Sequence, residues 1–269
     1  MLLAIDVGNT NMTFGLFRSR ELLLNWRMST AQERTSDEAG VLIVQFLQMN
    51  HYDPIHVKHV IVCSVVPQVM HSLLNAIRKY LQREPLCVEP GIKTGLNIKY
   101  ENPREVGADK IVNAVAAIKM YGGPLVIVDF GTATTFCAVG SKQDYLGGVI
   151  CPGIKISAEA LFEKASKLPR VEIAKPKNII GRTTITSMQS GLVHGFVGQV
   201  DYLVRIIKKE MVEEWHAAKE ESQIKVIATG GMSRLISSES LTIQETNPFL
   251  ILEGLQIIHD MNHEAGTLT

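Results

Sequence analysis

Two stretches of the sequence combine a carboxylate with a glycine at the end of an apolar run. In AIDVGNTNMTFGLF these residues are Asp6 and Gly8, and in IVDFGTATTFCAV they are Asp129 and Gly131. A carboxylate at the end of a buried strand costs free energy unless it meets a cation or several hydrogen-bond donors. At the mouth of a hairpin, such a carboxylate can hold Mg²⁺ or a monovalent cation beside a phosphate group.

The residues around the two Asp-x-Gly turns also suit phosphate. Glycine permits a tight turn and has no Cβ to block the approach of a phosphate. Small side chains near the turns, together with backbone N–H groups, can donate hydrogen bonds to phosphate oxygens. These side chains belong to Asn9, Thr10, Thr132 and Thr134. One such motif is often an ordinary hairpin in which Asp forms the turn, but two copies in matching positions favour phosphate loops of a non-Walker kind.

The tripeptide Asp-Phe-Gly at 129–131 is also the metal-binding signature of protein kinases. The other parts of a protein kinase are missing from the sequence: there is no His-Arg-Asp loop, no Val-Ala-Ile-Lys strand and no Gly-x-Gly-x-x-Gly loop. The Walker pattern Gly-x-x-x-x-Gly-Lys-[Ser/Thr] is absent as well. The sequence therefore excludes both of these nucleotide-binding classes.

Two further stretches carry candidate chemistry. In ATGGM, residues 228–232, a strand ending in Gly-Gly would let a flat ring such as adenine approach the backbone. The same residues are equally compatible with a plain turn between a strand and a helix. In YENPREVGADKIVNA, Gly107 precedes a helix whose first turn carries Asp109 and Lys110. Asp109 either complements the helix dipole or acts as a general base, with Lys110 holding an acidic substrate.

The composition excludes several classes of partner. The chain has 269 residues, of which 46% are hydrophobic, and its 27 basic and 27 acidic side chains balance. Zero net charge gives no electrostatic reason to expect nucleic acid or an anionic membrane as partner, and no apolar run is long enough to predict a transmembrane helix. The four cysteines form no Cys-x-x-Cys pair, so we expect reduced thiols and a cytoplasmic protein. The N-terminus is predicted to be a strand rather than a signal peptide.

Apolar periodicity predicts the same α/β unit twice. The first half is predicted to contain strands near 2–6, 13–17, 21–28 and 59–65, helices near 37–49, 68–82 and 108–120, and a loop over 90–107. The second half is predicted to contain strands near 125–129, 134–139, 145–149, 225–229 and 249–251, and helices near 155–166, 187–220 and 253–262. We expect two domains, 1–121 and 122–269, facing each other across a cleft, with the last helix as a candidate to pack back on the first domain.

Six stretches, in order along essentially the whole chain, resemble the type III pantothenate kinases. They are IDVGNTN (5–11), ENPREVGADKI (101–111), VDFGTATTF (128–136), GGVICPGI (147–154), TSMQSGLVHG (186–195) and ATGG (228–231). That family belongs to the superfamily of acetate and sugar kinases, Hsc70 and actin. The resemblance implies an α/β fold of duplicated ribonuclease H-like, or actin-like ATPase, domains, which agrees with the internal repeat.

The resemblance also implies an activity and a set of site residues. The reaction is phosphorylation of pantothenate at its 4′-hydroxyl by ATP, the first step of coenzyme A biosynthesis, with Mg²⁺ and a monovalent cation, K⁺ or NH₄⁺. The residues implied for ATP are Asp6, Val7, Gly8, Asn9, Thr10, Asn11, Met12, Thr13 and Thr132, with Asp6 near Mg²⁺ through water and Asp129 on the monovalent cation. Those implied for pantothenate are Tyr100, Gly107, Ala108, Asp109, Lys110 and Thr184, with Asp109 as the general base.

The family forms homodimers, and the apolar-striped stretch 187–215 is either part of such an interface or a core helix. One departure concerns Lys110, where the family usually has Arg, because Lys lacks the planar fork that grips a carboxylate with two parallel hydrogen bonds. Another is Thr183-Thr184, where the family often has Asn-Thr.

Two other functions are compatible with the fold. One is a phosphohydrolase or another small-molecule kinase, and the other is a non-enzymatic regulatory relative. Retention of Asp6, Asp109 and Asp129 argues against the second, because a degenerate member would lose these carboxylates. His51, His56 and His59 are close in sequence, and without a His-Glu-x-x-His pattern we expect solvated loop residues rather than a metal site.

Overall fold

The computed structural model describes residues 1–263, and it is built from two mixed β-sheets and their covering helices. The six residues 264–269, which the predicted second domain includes, lie outside the described part. The strands are β1 Leu2–Val7, β2 Asn11–Arg18, β3 Glu21–Ser29, β4 His59–Ser64, β5 Leu86–Cys87, β6 Asn97–Ile98, β7 Leu125–Phe130, β8 Ala133–Val139, β9 Asp144–Pro152, β10 Lys225–Thr229 and β11 Glu245–Thr246. The α-helices are α1 Ser36–Met49, α2 Pro67–Ala76, α3 Ala108–Tyr121, α4 Ile154–Lys164, α5 Thr184–Glu213, α6 Ser233–Ser237 and α7 Leu250–His263. Short 3₁₀ turns lie at Pro54–His56, Pro103–Glu105 and Glu221–Gln223, and a π turn at Ile77–Leu81 follows α2.

The chain divides into two compact units. The first contains Met1–Gly95, Arg104–Ala116 and the chain from Ile251, and the second contains Leu96–Pro103 and Ala117–Leu250. Helix α7 packs within the first unit, where Leu252 lies over Gly15 of β2 and the backbone of Gly254 lies against that of Val112 in α3. The predicted cut between residues 121 and 122 stays a prediction.

The first unit is built on the sheet β3-β2-β1-β4-β5. β1 pairs antiparallel with β2 and parallel with β4, and every β1 residue except Asp6 is buried. The hydrophobic core includes residues from β1, β2, β4, α1 and α2, such as Ile5, Phe14, Ile43 and Leu73. Asp6 is the one residue of β1 that is not buried, and it lies near the end of the strand, at the edge of an otherwise apolar core.

The second unit is built on the sheet β11-β10-β7-β8-β9-β6. β7 pairs antiparallel with β8 and parallel with β10, so it has the same two kinds of neighbour as β1. Helix α5 supplies much of the core through residues such as Val193, Val200 and Val204. The predicted repeat is therefore present: a hairpin begins with an Asp-x-Gly strand in each unit, and a later strand joins it in parallel.

The structure corrects the prediction for two elements. Residues 249–251 do not form a strand, because the short strand lies at Glu245–Thr246 and α7 begins at Leu250. The amide oxygen of Asn247 accepts a hydrogen bond from the N–H of Phe249 at 3.0 Å, which fixes a turn there. The helix predicted over 187–220 ends at Glu213, and the chain then reverses through His216, which has a φ of 48°.

Helix α5 begins earlier than predicted, at residue 184. Thr183 is its N-cap, and its hydroxyl accepts a hydrogen bond from the N–H of Thr186 at 3.2 Å. The hydroxyl of Thr186 in turn accepts one from the N–H of Thr183 at 3.1 Å. This reciprocal pair satisfies N–H groups that have no partner inside the helix.

The four cysteines are free thiols, with Cys63 and Cys137 buried and Cys87 and Cys151 half-buried. Between residues 1 and 263, no helix combines the length and the apolar character needed to cross a membrane.

Asp201 of α5 anchors the segment that joins α6 to β11. Its carboxylate accepts hydrogen bonds from the hydroxyl of Ser240 at 2.6 Å, the hydroxyl of Thr242 at 2.8 Å and the N–H of Leu241 at 3.1 Å. Burial alone raises the pKa of Asp201, but the hydrogen bonds from residues 240–242 outweigh burial and hold the pKa below its usual value of 3.8. The ionised form is therefore the one that the fold stabilises.

We expect Asp201→Asn to lower the free energy of unfolding by about 1–3 kcal/mol at pH 7, because an amide places a donor against the donors of residues 240–242. A folded-state pKa below the unfolded one contributes stability that is present above pH 3.8 and is lost as the pH falls through the folded-state pKa. Urea unfolding at pH 7 and at about pH 3 measures the difference, with Glu213→Gln on the same helix as control. An equal deficit at both pH values would show that the carboxylate charge is not involved.

Candidate phosphate-binding and acceptor site

The turn between β1 and β2 is fixed by hydrogen bonds from within its own unit. The N–H of Gly8 donates to the carbonyl of Asn11 at 3.1 Å, which closes the hairpin. Thr30, just beyond β3, donates its hydroxyl to the carbonyl of Gly8 at 2.7 Å and its N–H to the carbonyl of Thr10 at 3.0 Å. The loop is thus held from both sides before any ligand binds.

Side chains of the turn divide into an outward and an inward group. Asn9, Thr10 and Asn11 are exposed, so their amide and hydroxyl groups are accessible to a phosphate. Val7 and Met12 point into the hydrophobic core, so only their main-chain atoms can reach a ligand. The half-buried Thr13 lies opposite Asp6 in the antiparallel register of β1 and β2, and Met12 lies opposite Val7.

Gly107 permits an unusual position for the Asp109 carboxylate. The carbonyl of Gly107 accepts the N–H of Lys110 at 3.0 Å, and Ala108 is the first residue of α3. A Cβ added to Gly107 would lie 2.5 Å from Oδ1 of Asp109 and 3.9 Å from Cγ1 of Val65. The carboxylate therefore folds back over Gly107, toward the residue that follows β4, and any larger residue at 107 would displace it.

Asp6 and Asp109 converge on the buried thiol of Cys63. In the parallel register of β1 and β4, Asp6 lies beside Cys63. Burial raises the pKa of the Cys63 thiol well above its usual range, and the negative charges of Asp6 and then Asp109 raise it further. Two residues far apart in sequence thus place their carboxylates at the carboxyl end of the same pair of parallel strands, which is where open α/β sheets bind ligands.

The second Asp-x-Gly turn has a different neighbour. Asp129 lies beside Thr229 in the parallel register of β7 and β10. Gly230 follows with a φ of 89°, and a Cβ there would lie 2.5 Å from Oδ1 of Asp129 and 2.7 Å from the carbonyl carbon of Phe130. Glycine at 230 is required both by its left-handed backbone and by this close approach. The backbone of Gly230, the first glycine of ATGG, thus lies directly against the Asp129 carboxylate, a contact that the sequence alone does not show.

The polar residues of this second turn differ in accessibility. The N–H of Gly131 donates to the carbonyl of Ala133 at 3.1 Å, and Thr132 is exposed at the tip. Gly153, the N-cap of α4, lies against the carbonyl of Thr132. Thr134 was expected to reach phosphate, but it is fully buried and its hydroxyl finds no hydrogen-bond partner in the described part of the chain. The expectation for Thr134 is wrong because strand alternation turns its side chain into the core.

The remaining predicted site residues, Tyr100 and Thr184, lie on other elements of the second unit. Tyr100 is 39% exposed, and its ring lies against Gly147 of β9. Thr184, the exposed first residue of α5, lines a groove of about 1380 Å³ between α4 and α5. This groove is more apolar than polar, and its lining includes Ile156, Leu161 and Gly195.

The structure brings the predicted residues together in two groups, one in each unit. The first group has Asp6, the 8–11 turn and Asp109, and the second has Asp129, Thr132 and Gly230. Carboxylate and hydroxyl oxygens are the ligands that hard cations such as Mg²⁺ prefer. A turn of accessible donors beside such carboxylates can bind a phosphate together with its counter-cation.

Comparison with known proteins agrees with this chemistry. A profile of the family described as type III pantothenate kinase matches residues 2–206. Among solved structures, a protein of Campylobacter jejuni described as a Baf family transcriptional activator superposes with a TM-score of 0.59 at 20% identity, over 97% of this chain and 99% of that one. The activator of the 2-hydroxyisocaproyl-CoA dehydratase from Clostridium difficile, with bound ADPNP, superposes with a TM-score of 0.55 at 10% identity, over 100% of this chain and 97% of that one.

At these identities the solved structures show the fold alone. They confirm the predicted fold class, an α/β architecture of duplicated, actin-like ATPase domains. The family profile covers well over half of the sequence and includes both Asp-x-Gly turns and Asp109. The chain belongs to the type III pantothenate kinase family.

Proposed function

We propose that this protein transfers the γ-phosphoryl group of ATP to the 4′-hydroxyl of pantothenate, giving 4′-phosphopantothenate for coenzyme A biosynthesis. The convergence of Asp6 and Asp109 at the carboxyl ends of β1 and β4 is the observation that carries the proposal. It supplies a carboxylate for the metal of a metal–nucleotide complex and a second one for the acceptor. Membership of the family supports pantothenate as that acceptor.

Residues 6–13 are proposed to hold the phosphates of ATP. The exposed side chains of Asn9, Thr10 and Asn11 and the main chain of the turn supply donors, while Thr30 keeps the loop in place. Because phosphoryl transfer depends mainly on positioning and on neutralising phosphate charge, a loop fixed in advance suits the reaction. Thr132 is proposed as a further contact of ATP.

Two cations are proposed to complete the site. Asp6 would hold Mg²⁺ through water, and Asp129 would hold a monovalent cation, K⁺ or NH₄⁺. The two side chains fit these cations, because both carboxylates are half-buried at strand ends and offer hard oxygen ligands. When bound, these cations neutralise the negative charge of the phosphates.

Asp109 is proposed as the general base for the pantothenate hydroxyl. Its carboxylate is held over Gly107 rather than extended into solvent, and Val65 packs nearby. A carboxylate in this position can orient the hydroxyl and accept its proton as the bond to phosphorus forms. Tyr100, Gly107, Ala108 and Thr184 are proposed as further contacts of pantothenate, and Lys110 as the cation for its carboxylate.

A homodimer is proposed with the groove between α4 and α5 at its interface. The exposed apolar residues Ile156 and Leu161 line this groove, and the exposed Phe162 and Ile185 are next in sequence to the lining residues Leu161 and Thr184. On α5, Gly191, Gly195 and Gly198 recur at helical spacing, and a Cβ at any of them would meet open space. A smooth, apolar helix face of this kind lets a second copy approach closely.

Asp109→Asn should lower kcat for pantothenate phosphorylation by about 10²–10⁴-fold, because the amide cannot accept the hydroxyl proton. The dissociation constant for ATP should change little, since the phosphate turn is intact. A coupled ADP-release assay and calorimetric ATP binding measure the two quantities. Glu21→Gln, an exposed carboxylate at the start of β3, is the matched control. Wild-type turnover in the Asn variant would contradict the base assignment.

Lys110→Arg should lower KM for pantothenate by about threefold to tenfold with kcat nearly unchanged, because guanidinium can grip a carboxylate with two parallel hydrogen bonds. Steady-state kinetics at saturating ATP give both parameters. Lys119→Arg, at the exposed last turn of the same helix, should change neither. An unchanged KM in Lys110→Arg would mean that residue 110 does not contact the substrate carboxylate.

Leu161→Glu should convert the dimer to monomer, since it places a charge in the proposed apolar interface. Light scattering coupled to size-exclusion chromatography reports the mass of each species. Leu241→Glu makes the same change at a side chain that is 94% exposed and distant in sequence from the groove, and it should leave the dimer intact. A wild-type protein that elutes as a monomer at micromolar concentration would refute the homodimer.

A further inference from the structure

Three histidines of the first unit form a cluster that the phosphate chemistry does not use. His59 begins β4, and His259 and His263 belong to α7. One ring nitrogen from each residue can be chosen so that the three lie within 4.8 Å of one another. The ring centroids are 4.9 Å apart for His59 and His259, 4.3 Å for His59 and His263, and 5.1 Å for His259 and His263.

The backbone places these rings on two fixed elements. His259 and His263 are four residues apart on one helix, so they project from the same face. His59 is held beside β1, because the N–H of Lys58 donates to the carbonyl of Met1 at 2.9 Å. Exposure increases across the cluster: His259 is buried, His59 is half-buried and His263 is exposed. The cluster is therefore buried at His259 and accessible to solvent at His263.

The cluster lies at the opposite end of the sheet from the phosphate turn. In the register of β1 and β4, His59 is beside Leu2, whereas Cys63 is beside Asp6. Four residues of extended strand span about 13 Å. A ligand of the histidines would therefore not touch the Asp6 carboxylate, and its role would differ from that of the catalytic cations.

We propose that His59, His259 and His263 bind one Zn²⁺ ion, which clamps α7 to the start of β4. Imidazole nitrogen is a preferred zinc ligand, and three protein ligands with water in the fourth position form a common tetrahedral site. Zinc–nitrogen bonds of about 2.0–2.1 Å place ligand nitrogens roughly 3.3–3.4 Å apart in a tetrahedron. We expect side-chain rotations on metal binding, chiefly of the exposed His263, to bring the ring nitrogens to this spacing.

The surroundings of His259 suit a metal ligand. Oδ1 of Asp260 lies 3.4 Å from Nδ1 of His259, and Oδ2 of Asp260 accepts a hydrogen bond from the amide of Gln256 at 2.5 Å. A carboxylate next to one ring nitrogen fixes the tautomer and leaves the other nitrogen for the metal. The arrangement indicates Nε2 of His259 as the ligand atom.

The charge state of the rings also favours a metal. Burial lowers the pKa of both His59 and His259. The nearby His263 lowers each further, whereas the hydrogen bond to Asp260 raises the pKa of His259 without reversing the shift. Unprotonated imidazole is the form that binds metal ions. The ammonium group of Met1 and the Arg83 guanidinium also act on His59 and add positive charge near the site. They should moderate the affinity without blocking it.

The test is calorimetric titration of the full-length chain with Zn²⁺ alone, after chelator treatment and without nucleotide or Mg²⁺. The protein must carry no polyhistidine tag. We expect one Zn²⁺ per chain. His263→Gln should weaken binding by about 100-fold or more, since loss of an outer-shell partner alone costs about 10–100-fold. His263 is exposed, so this variant should fold even if His259→Gln does not.

His71→Gln, an exposed histidine of α2 outside the cluster, is the matched control and should bind Zn²⁺ like the wild type. Thermal unfolding gives a second readout, because a metal that binds only the folded chain raises Tm. Zn²⁺ should raise Tm of the wild type and of His71→Gln, but not of His263→Gln. No stoichiometric binding by the wild type, a loss below tenfold in His263→Gln, or an equal loss in His71→Gln would overturn the proposal.

Discussion

The candidate phosphate-binding site depends on one constraint, the placing of carboxylates at the ends of buried strands. Asp6 follows four buried residues of β1, and it lies beside the buried Cys63. Asp109, at the start of α3, is near enough for its negative charge to raise the pKa of the same thiol. Two like charges near an apolar core are unfavourable unless cations or donors compensate them. A cation bound beside these carboxylates would compensate part of their negative charge.

Glycine is what makes this placement possible in each unit. At Gly107 a Cβ would collide with the Asp109 carboxylate, and at Gly230 it would collide with that of Asp129. Neither glycine belongs to the Asp-x-Gly turns that mark the repeat. Asp129 belongs to the repeat and is held beside a glycine that is distant in sequence, whereas Asp109 lies outside the repeat and is held over a glycine two residues before it.

Much of the fold could be predicted because its signals are local. The strands of both hairpins, α1, α3 and the repeated Asp-x-Gly turns follow from apolar runs and turn residues, and the structure contains them. The run Phe249-Leu250-Ile251 was misassigned because a short apolar run fits a strand and a buried helix start equally well. The end of α5 depends on the reversal at His216, which periodicity does not show.

The long-range features could not be predicted because they join residues far apart in the chain. Gly230 beside Asp129, and Asp201 beneath residues 240–242, appear only once the strands and helices are packed. The expectation for His51 and His56 fits their exposed positions, but His59 is a half-buried strand residue beside His259. His259 lies in the last predicted helix, but His263 lies one residue beyond its predicted end, so the sequence indicates the i, i+4 pair only weakly.

The most direct test of the central claim is ATP-dependent phosphorylation of pantothenate by the purified wild-type protein with Mg²⁺, in K⁺ and in Na⁺ buffers. We expect stoichiometric formation of ADP and 4′-phosphopantothenate that depends on K⁺, because Asp129 is proposed to hold a monovalent cation. A folded protein that binds ATP but leaves pantothenate unchanged in both buffers would contradict the assigned acceptor. ATP hydrolysis without any phosphorylated product would favour a phosphohydrolase of the same fold instead.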